Sequence, residues 1–160
     1  MRIREIISGI DNDNQIRVEI ELQGLYKTVV YGAIVDTGFS GSLVLPLVVA
    51  VDVGLSKGGA TNVTLADGSI RTMPLFLSKV KIGDVTQDAD TLIMGNDVLI
   101  GMGILDDYTL TVTPASGQVT LSEHKQPDLS NPFAKEQLPE NNVSFLTMRD
   151  VLRRLTSRNM

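Results

Sequence analysis

One acidic side chain in an unusual setting is the strongest chemical signal in this chain. Asp36 ends the apolar, β-branched run Val29-Val30-Tyr31-Gly32-Ala33-Ile34-Val35. Thr37-Gly38-Phe39-Ser40-Gly41-Ser42 follows, then a second apolar run, Leu43 to Leu45. This pattern reads as strand, loop, strand. A carboxylate directly behind a core-forming strand is costly to remove from water unless hydrogen-bond donors surround it. Gly38 and Gly41 permit positive φ and close backbone approach, so amide N–H groups can turn toward the carboxylate. Two readings stay open here: an aspartate serving turn chemistry, or a carboxylate held for acid–base work.

Other chemistries find less support. Cysteine is absent, which excludes disulfides, thiolate zinc sites and a cysteine nucleophile. The single histidine, His124, lies in polar sequence between Glu123 and Lys125, where the compact portion ends. Alone it anchors neither a zinc site nor a Ser-His-Asp triad. Asp11-Asn12-Asp13-Asn14 opens like a calcium loop, but the sixth place is Ile16 and Leu22 stands where the closing glutamate belongs. Gly58-Gly59 is not followed by the Lys-Ser/Thr of a phosphate-binding loop. Gly101-Met102-Gly103 lacks the later glycine and long helix of a dinucleotide site. No metal and no cofactor is expected.

The elements that must position Asp36 follow from composition and periodicity. A chain of 160 residues suits one domain with a modest appendage. With 42% hydrophobic but only 4% aromatic residues, its core is built from Val, Leu and Ile, which favours sheet. The net charge of −5 argues against nucleic acid as a partner. That charge is uneven: residues 1–124 carry 8 Lys/Arg against 15 Asp/Glu, residues 125–160 carry 6 against 4. The start of the chain has no signal-peptide pattern, and the longest apolar run, Leu43 to Val51, is broken by Pro46 and too short to span a bilayer. A cytoplasmic protein is expected.

Residues 2–9 and 15–23 read as strands joined by the Asp/Asn turn, with Ile16, Val18, Ile20 and Leu22 alternating with Arg17, Glu19 and Glu21. Pro46 favours a helix start at Leu47 to Val53, against which the valines weigh. The glycines 54, 58 and 59 predict a connecting loop. Residues 61–66 and 69–73 flank Asp67-Gly68, predicting a hairpin with positive φ at both turn positions. Residues 75–82 and 85–94 form another strand pair around Gly83-Asp84. Leu99-Ile100 precedes Gly101, where another backbone can approach, and a short helix then runs to Asp107. Tyr108 to Thr113 and Gln118 to Ser122 make a last hairpin. Residues 1–123 are therefore nearly all β. Residues 124–142, with three prolines, read as a polar linker. In residues 143–160, Thr147 and Asp150 form a capping-box-like start, and Val151, Leu152 and Leu155 share one face of an amphipathic helix.

Ala33-Ile34-Val35-Asp36-Thr37-Gly38, the Ala66-Asp67-Gly68-Ser69 hairpin and Leu99-Ile100-Gly101 before a short helix, in that order and separation, resemble the retropepsin-type aspartic proteases, small prokaryotic members above all. The resemblance covers residues 1 to about 123. It implies a mostly β fold, a closed acid-protease barrel with one short internal helix, to which the C-terminal amphipathic helix is added. It also implies that Asp36 is catalytic, that Thr37 helps lock two loops together and that Gly38 leaves room for substrate. Residues 64–71 would be the flap, with Ala66, Asp67, Gly68 and Ser69 binding substrate, and Leu99, Ile100 and Gly101 would support the catalytic loop from beneath. Two features depart from the family. Phe39 follows the triplet where many members have Ala or Ser, so Ser40 or Ser42 would have to hydrogen-bond the carboxylate. No arginine follows Gly101 as it does in viral members.

Acid proteolysis of this type needs one carboxylate to accept a proton from water and a second, protonated, to polarise the peptide carbonyl. Two crowded carboxylates do this because both cannot ionise together. The chain holds one Asp-Thr-Gly and no second copy. The resemblance therefore implies a homodimer with one Asp36 from each subunit, acting on an extended peptide or protein substrate. The alternative is a dimeric peptide-binding or assembly module of the same fold that does not cut.

Overall fold

The computed structural model describes residues 6–124. The expected linker beyond residue 124, the C-terminal helix and the first residues of the first predicted strand lie outside the described residues. The described chain is mostly β: ten strands, two short α-helices and one 3₁₀ turn. Its strands are β1 (Ser8–Ile10), β2 (Ile16–Gln23), β3 (Thr28–Val35), β4 (Leu43–Leu45), β5 (Ser56–Thr64), β6 (Ile70–Ile82), β7 (Val85–Ile93), β8 (Leu99–Ile100), β9 (Tyr108–Thr113) and β10 (Gln118–Glu123). Helix α1 spans Leu47–Val53 and α2 spans Met102–Leu105.

Eight strands form one sheet in the order β1-β2-β3-β8-β4-β7-β6-β5, and β2 also pairs with β6 through Glu21↔Lys81, Leu22↔Val80 and Gln23↔Lys79. Among the described residues, β9 and β10 pair only with each other. The β2 alternation does what its period requires: Val18, Ile20 and Leu22 are fully buried, while Arg17, Glu19 and Glu21 point the other way. Each such burial stabilises by about 2 kcal/mol. The outer half of β3 alternates too, but Ala33, Ile34 and Val35 are all buried, because that end lies between β2 and β8. Leu43, Val44 and Leu45 of β4 are buried for the same reason, lying between β8 and β7.

Four expectations need correction. The body contains two short helices where the resemblance implies one: α1, at the bounds Pro46 suggests, forms despite its valines because Val49, Ala50 and Val53 are buried in the core, and tertiary packing outweighs weak propensity. Gly54, at φ 73°, ends it with an N–H donated to the Ala50 carbonyl. Gly58 and Gly59 are not a loop but part of β5, which bulges between Lys57 and Gly59. The segments 69–73 and 75–82 are one strand, β6, running through Pro74. Proline is accommodated there because β6 has only β5 beside it at that point, the β7 ladder beginning at Phe76. The hairpin turn also differs, as described below.

Among the described residues the core contains two buried polar side chains, Ser78 and Thr91, which share a 2.8 Å hydrogen bond. The Thr91 hydroxyl also donates to the Ala89 carbonyl at 3.0 Å. Thr91→Val strands the Ser78 hydroxyl in an apolar setting and is expected to cost about 1–2 kcal/mol in denaturant unfolding. Adding Ser78→Ala should recover most of that loss, since no buried group is then unpaired.

Candidate active site

The loop after β3 is built by three separate stretches of chain. Strands β3 and β4, which enter and leave it, do not pair with each other. β8 is inserted between them, parallel to β3 through Ile34↔Leu99 and Val35↔Ile100, and antiparallel to β4 through Leu43↔Ile100 and Val44↔Leu99. The Asp36 N–H donates to the Ile100 carbonyl at 2.9 Å, which sets the start of the loop. Three further bonds clasp it: Gly101 N–H to Ser42 O at 3.0 Å, Met102 N–H to Phe39 O at 2.8 Å and Gly103 N–H to Gly41 O at 2.9 Å. Buried Gly101 is required for space, since a Cβ there would overlap the Phe39 ring and the carbonyl oxygens of Gly41 and Phe39. Gly41 is needed as well, because its Cβ would collide with the same ring.

Within this frame Asp36 is half-buried, and its Oδ1 accepts the Gly38 N–H at 2.9 Å, an Asx-type turn that orients the carboxylate. Thr37 and Gly38 are exposed. The expectation that Ser40 or Ser42 bonds the carboxylate is not met: among the described residues Asp36 has the Gly38 amide as its side-chain partner, and no hydroxyl reaches it. Residues 39–42 instead follow the aromatic ring, which packs back over Gly41 and Gly101.

The β5–β6 hairpin faces this loop across a divided cleft. The larger compartment, about 630 Å³, is lined by Asp36, Gly38, Phe39, Val44, residues 63–66, residues 94–97 and Leu99. The smaller, about 310 Å³, is lined by residues 38–42, residues 61–64, Leu75, Asp90 and Leu92. Gly38, Phe39, Val63 and Thr64 line both compartments, so the Phe39 side of the loop lies against the dividing wall.

The hairpin tip is a three-residue loop, not the two-residue turn expected. Gly68 N–H donates to Leu65 O at 2.9 Å, Leu65 N–H to Ser69 O at 2.8 Å, and only Gly68, at φ 82°, takes positive φ. Asp67 Oδ1 accepts both the Ser69 hydroxyl at 2.6 Å and the Ser69 N–H at 2.9 Å. Of the four expected substrate-binding residues, Ala66 lines the cleft beside Asp36, whereas Asp67, Gly68 and Ser69 build the tip. Thr64 and Leu65 belong to the expected flap and line the cleft, whereas Val63, Phe39 and residues 94–97 line it without having been expected to. Alternation at the end of β5 and just beyond it, where Val63 and Leu65 are half-buried among exposed neighbours, carries the signal for Val63.

The Ser69 hydroxyl, and then the Ser69 amide, hold the Asp67 carboxyl below the usual aspartate range. A depressed folded value means the tip hydrogen bonds contribute above the ordinary carboxylate range and are lost only as pH falls through the lowered value. The Ser69 amide resonance should therefore keep its position through mild acid and move only in stronger acid, and Asp67→Ala should remove that titration.

Among the described residues, no group of three or more His, Asp or Glu is placed to hold a metal ion, and no helix is long and apolar enough to cross a membrane. Set against known proteins, the chain matches no protein-family model, and no curated protein matches it.

Proposed function

We propose that this chain is one subunit of a homodimeric, retropepsin-like aspartic endopeptidase on a closed acid-protease barrel, each subunit supplying Asp36 to a shared dyad. The observation that carries the reading is a single carboxylate at the end of a buried strand, aimed by a backbone amide, at the edge of a cleft of about 630 Å³ beneath a projecting hairpin. The β2–β6 pairing, which links two strands that are not neighbours in the sheet order, is what a closed barrel requires.

In this mechanism the two Asp36 side chains meet at the two-fold axis and hold one proton between them. The ionised carboxylate takes a proton from water, which attacks the peptide carbonyl. The protonated one donates to the carbonyl oxygen, and the tetrahedral species collapses with a proton delivered to the leaving amine. The exposed Thr37, whose hydroxyl makes no hydrogen bond among the described residues, is left for the opposing loop. The peptide lies extended between the Asp36 loop and the hairpin, with backbone pairing supplying affinity.

One observation favours the second reading, a dimeric peptide-binding or assembly module. The carboxylate has a single amide donor and no hydroxyl behind it, so its support is thin. A pepstatin-like transition-state mimic separates the two: tight binding to wild type that Asp36→Asn abolishes identifies a peptidase, and peptide binding indifferent to that change identifies a module.

A further inference from the structure

The charged side chains lining the two compartments share one sign. The larger contains Asp97 besides Asp36, and the smaller contains Asp90; among the described residues no Lys, Arg or His lines either. Three aspartates outside these compartments have cationic partners: Asp11 with Arg17, Asp52 with Lys27, Asp88 with Lys79. Asp90 and Asp97 have no ion pair or side-chain hydrogen bond among the described residues. The contrast is clearest along β7. Asp88 sits opposite Lys79 and pairs with it, whereas Asp90 sits opposite Leu77 and borders open cleft. Asp97 closes the short connection from β7 to β8, where Gly95 at φ 69° turns the chain along the same compartment as Asp36.

We propose that this cleft selects peptides carrying lysine or arginine close to the bond cut, with aliphatic residues beside them. The proposal rests on the reading of the site as a peptidase. The aliphatic requirement comes from the walls between the carboxylates, among them Val44, Val63 and Leu99 in the larger compartment and Leu75 and Leu92 in the smaller. A long cationic side chain suits such a site, since its methylenes lie on the apolar wall while its head reaches the carboxylate. The two-fold axis repeats Asp90 and Asp97 on the far side, so the preference holds on both flanks of the cleaved bond. Acidic peptides are repelled by the same charges.

The test uses the full chain and dye-labelled ten-residue peptides of Ala and Leu, with Arg or its neutral isostere citrulline placed at each position in turn. At the best position, wild type should cut the Arg peptide with kcat/KM about two- to five-fold above the citrulline peptide, in line with exposed ion pairs, and added salt should shrink the ratio. The ratio should fall toward one in the Asp90→Asn, Asp97→Asn double variant, and Asp97→Lys should shift preference to Glu peptides. Binding of the same peptides to Asp36→Asn, read by fluorescence anisotropy, gives the ratio without hydrolysis. Cutting without Arg preference, or a preference that survives the double variant, overturns the charge selection and leaves the peptidase reading standing. Arg-selective binding that needs Asp90 and Asp97, with no peptide cut, upholds the charge selection and sinks the peptidase. Absence of both binding and cutting overturns the two together.

Discussion

Under the proposed function, Asp36→Asn should lower peptidase activity by about a thousand-fold, roughly 4 kcal/mol of transition-state stabilisation, while leaving the fold and the proposed dimer intact. The substitution removes the proton-accepting charge yet keeps an oxygen that can take the Gly38 N–H, the hydrogen bond that orients this side chain at 2.9 Å. Its half-buried position at the loop surface avoids any repacking cost. The stronger version of the experiment mixes variant and wild-type subunits in equal amounts and lets them exchange. If both carboxylates of a pair are needed, about a quarter of the wild-type specific activity should remain, the share of pairs with two intact subunits. Activity near one half would mean that each chain carries its own complete site, and the shared dyad would be wrong.

Gly101→Ala is expected to be the most damaging single methyl in the described chain near the site, destabilising by about 3 kcal/mol and taking activity with it. The added Cβ meets the carbonyl oxygens of Gly41 and Phe39, backbone atoms that cannot rotate away, as well as the Phe39 ring. Relief requires the clasp between residues 39–42 and 101–103 to open, which costs its three amide bonds. Trimming the ring with Phe39→Leu should therefore not rescue the variant. The proper control is Gly32→Ala in β3, where an added Cβ meets nothing within 4 Å, and thermal unfolding should be unchanged or slightly improved. Equal loss in both variants would show that strand glycines in general, not this close approach, matter.

Much of the scaffold was legible because it rests on local periodicity. The two-residue alternation over Ile16, Val18, Ile20 and Leu22 leaves one arrangement that turns all four side chains to the core side, where Val18, Ile20 and Leu22 are fully buried. Asp36 could be singled out because apolar runs bracket it, and Gly101 because a glycine behind Leu99-Ile100 marks close approach. What was not legible depends on partners distant in sequence. The pairing of β8 with both β3 and β4 is two residues long and leaves no periodic trace. The expected segments 69–73 and 75–82 join across Pro74, which is tolerated inside β6 because only one flank of the strand is occupied there. Helix α1 has the bounds that Pro46 suggested, but what holds it against its valines is the pocket that receives Val49, Ala50 and Val53, which local propensity does not show. At the site, residue types identified the carboxylate and the hairpin, but the lining from residues 94–97 and the solitary amide donor to Asp36 are matters of chain path.

The insertion of β8 between β3 and β4 carries a consequence for how the protein is made. A nascent chain that has left the ribosome only as far as α1 possesses Asp36 but not the strand that seats it, and the Asp36 amide has no Ile100 carbonyl to meet. Contacts of such sequence separation are among the slowest to form. The carboxylate therefore takes up its position only after Leu99 and Ile100 have emerged and threaded into place, so under the proposed function synthesis itself would delay proteolysis until the rest of the body is ready to fold around it.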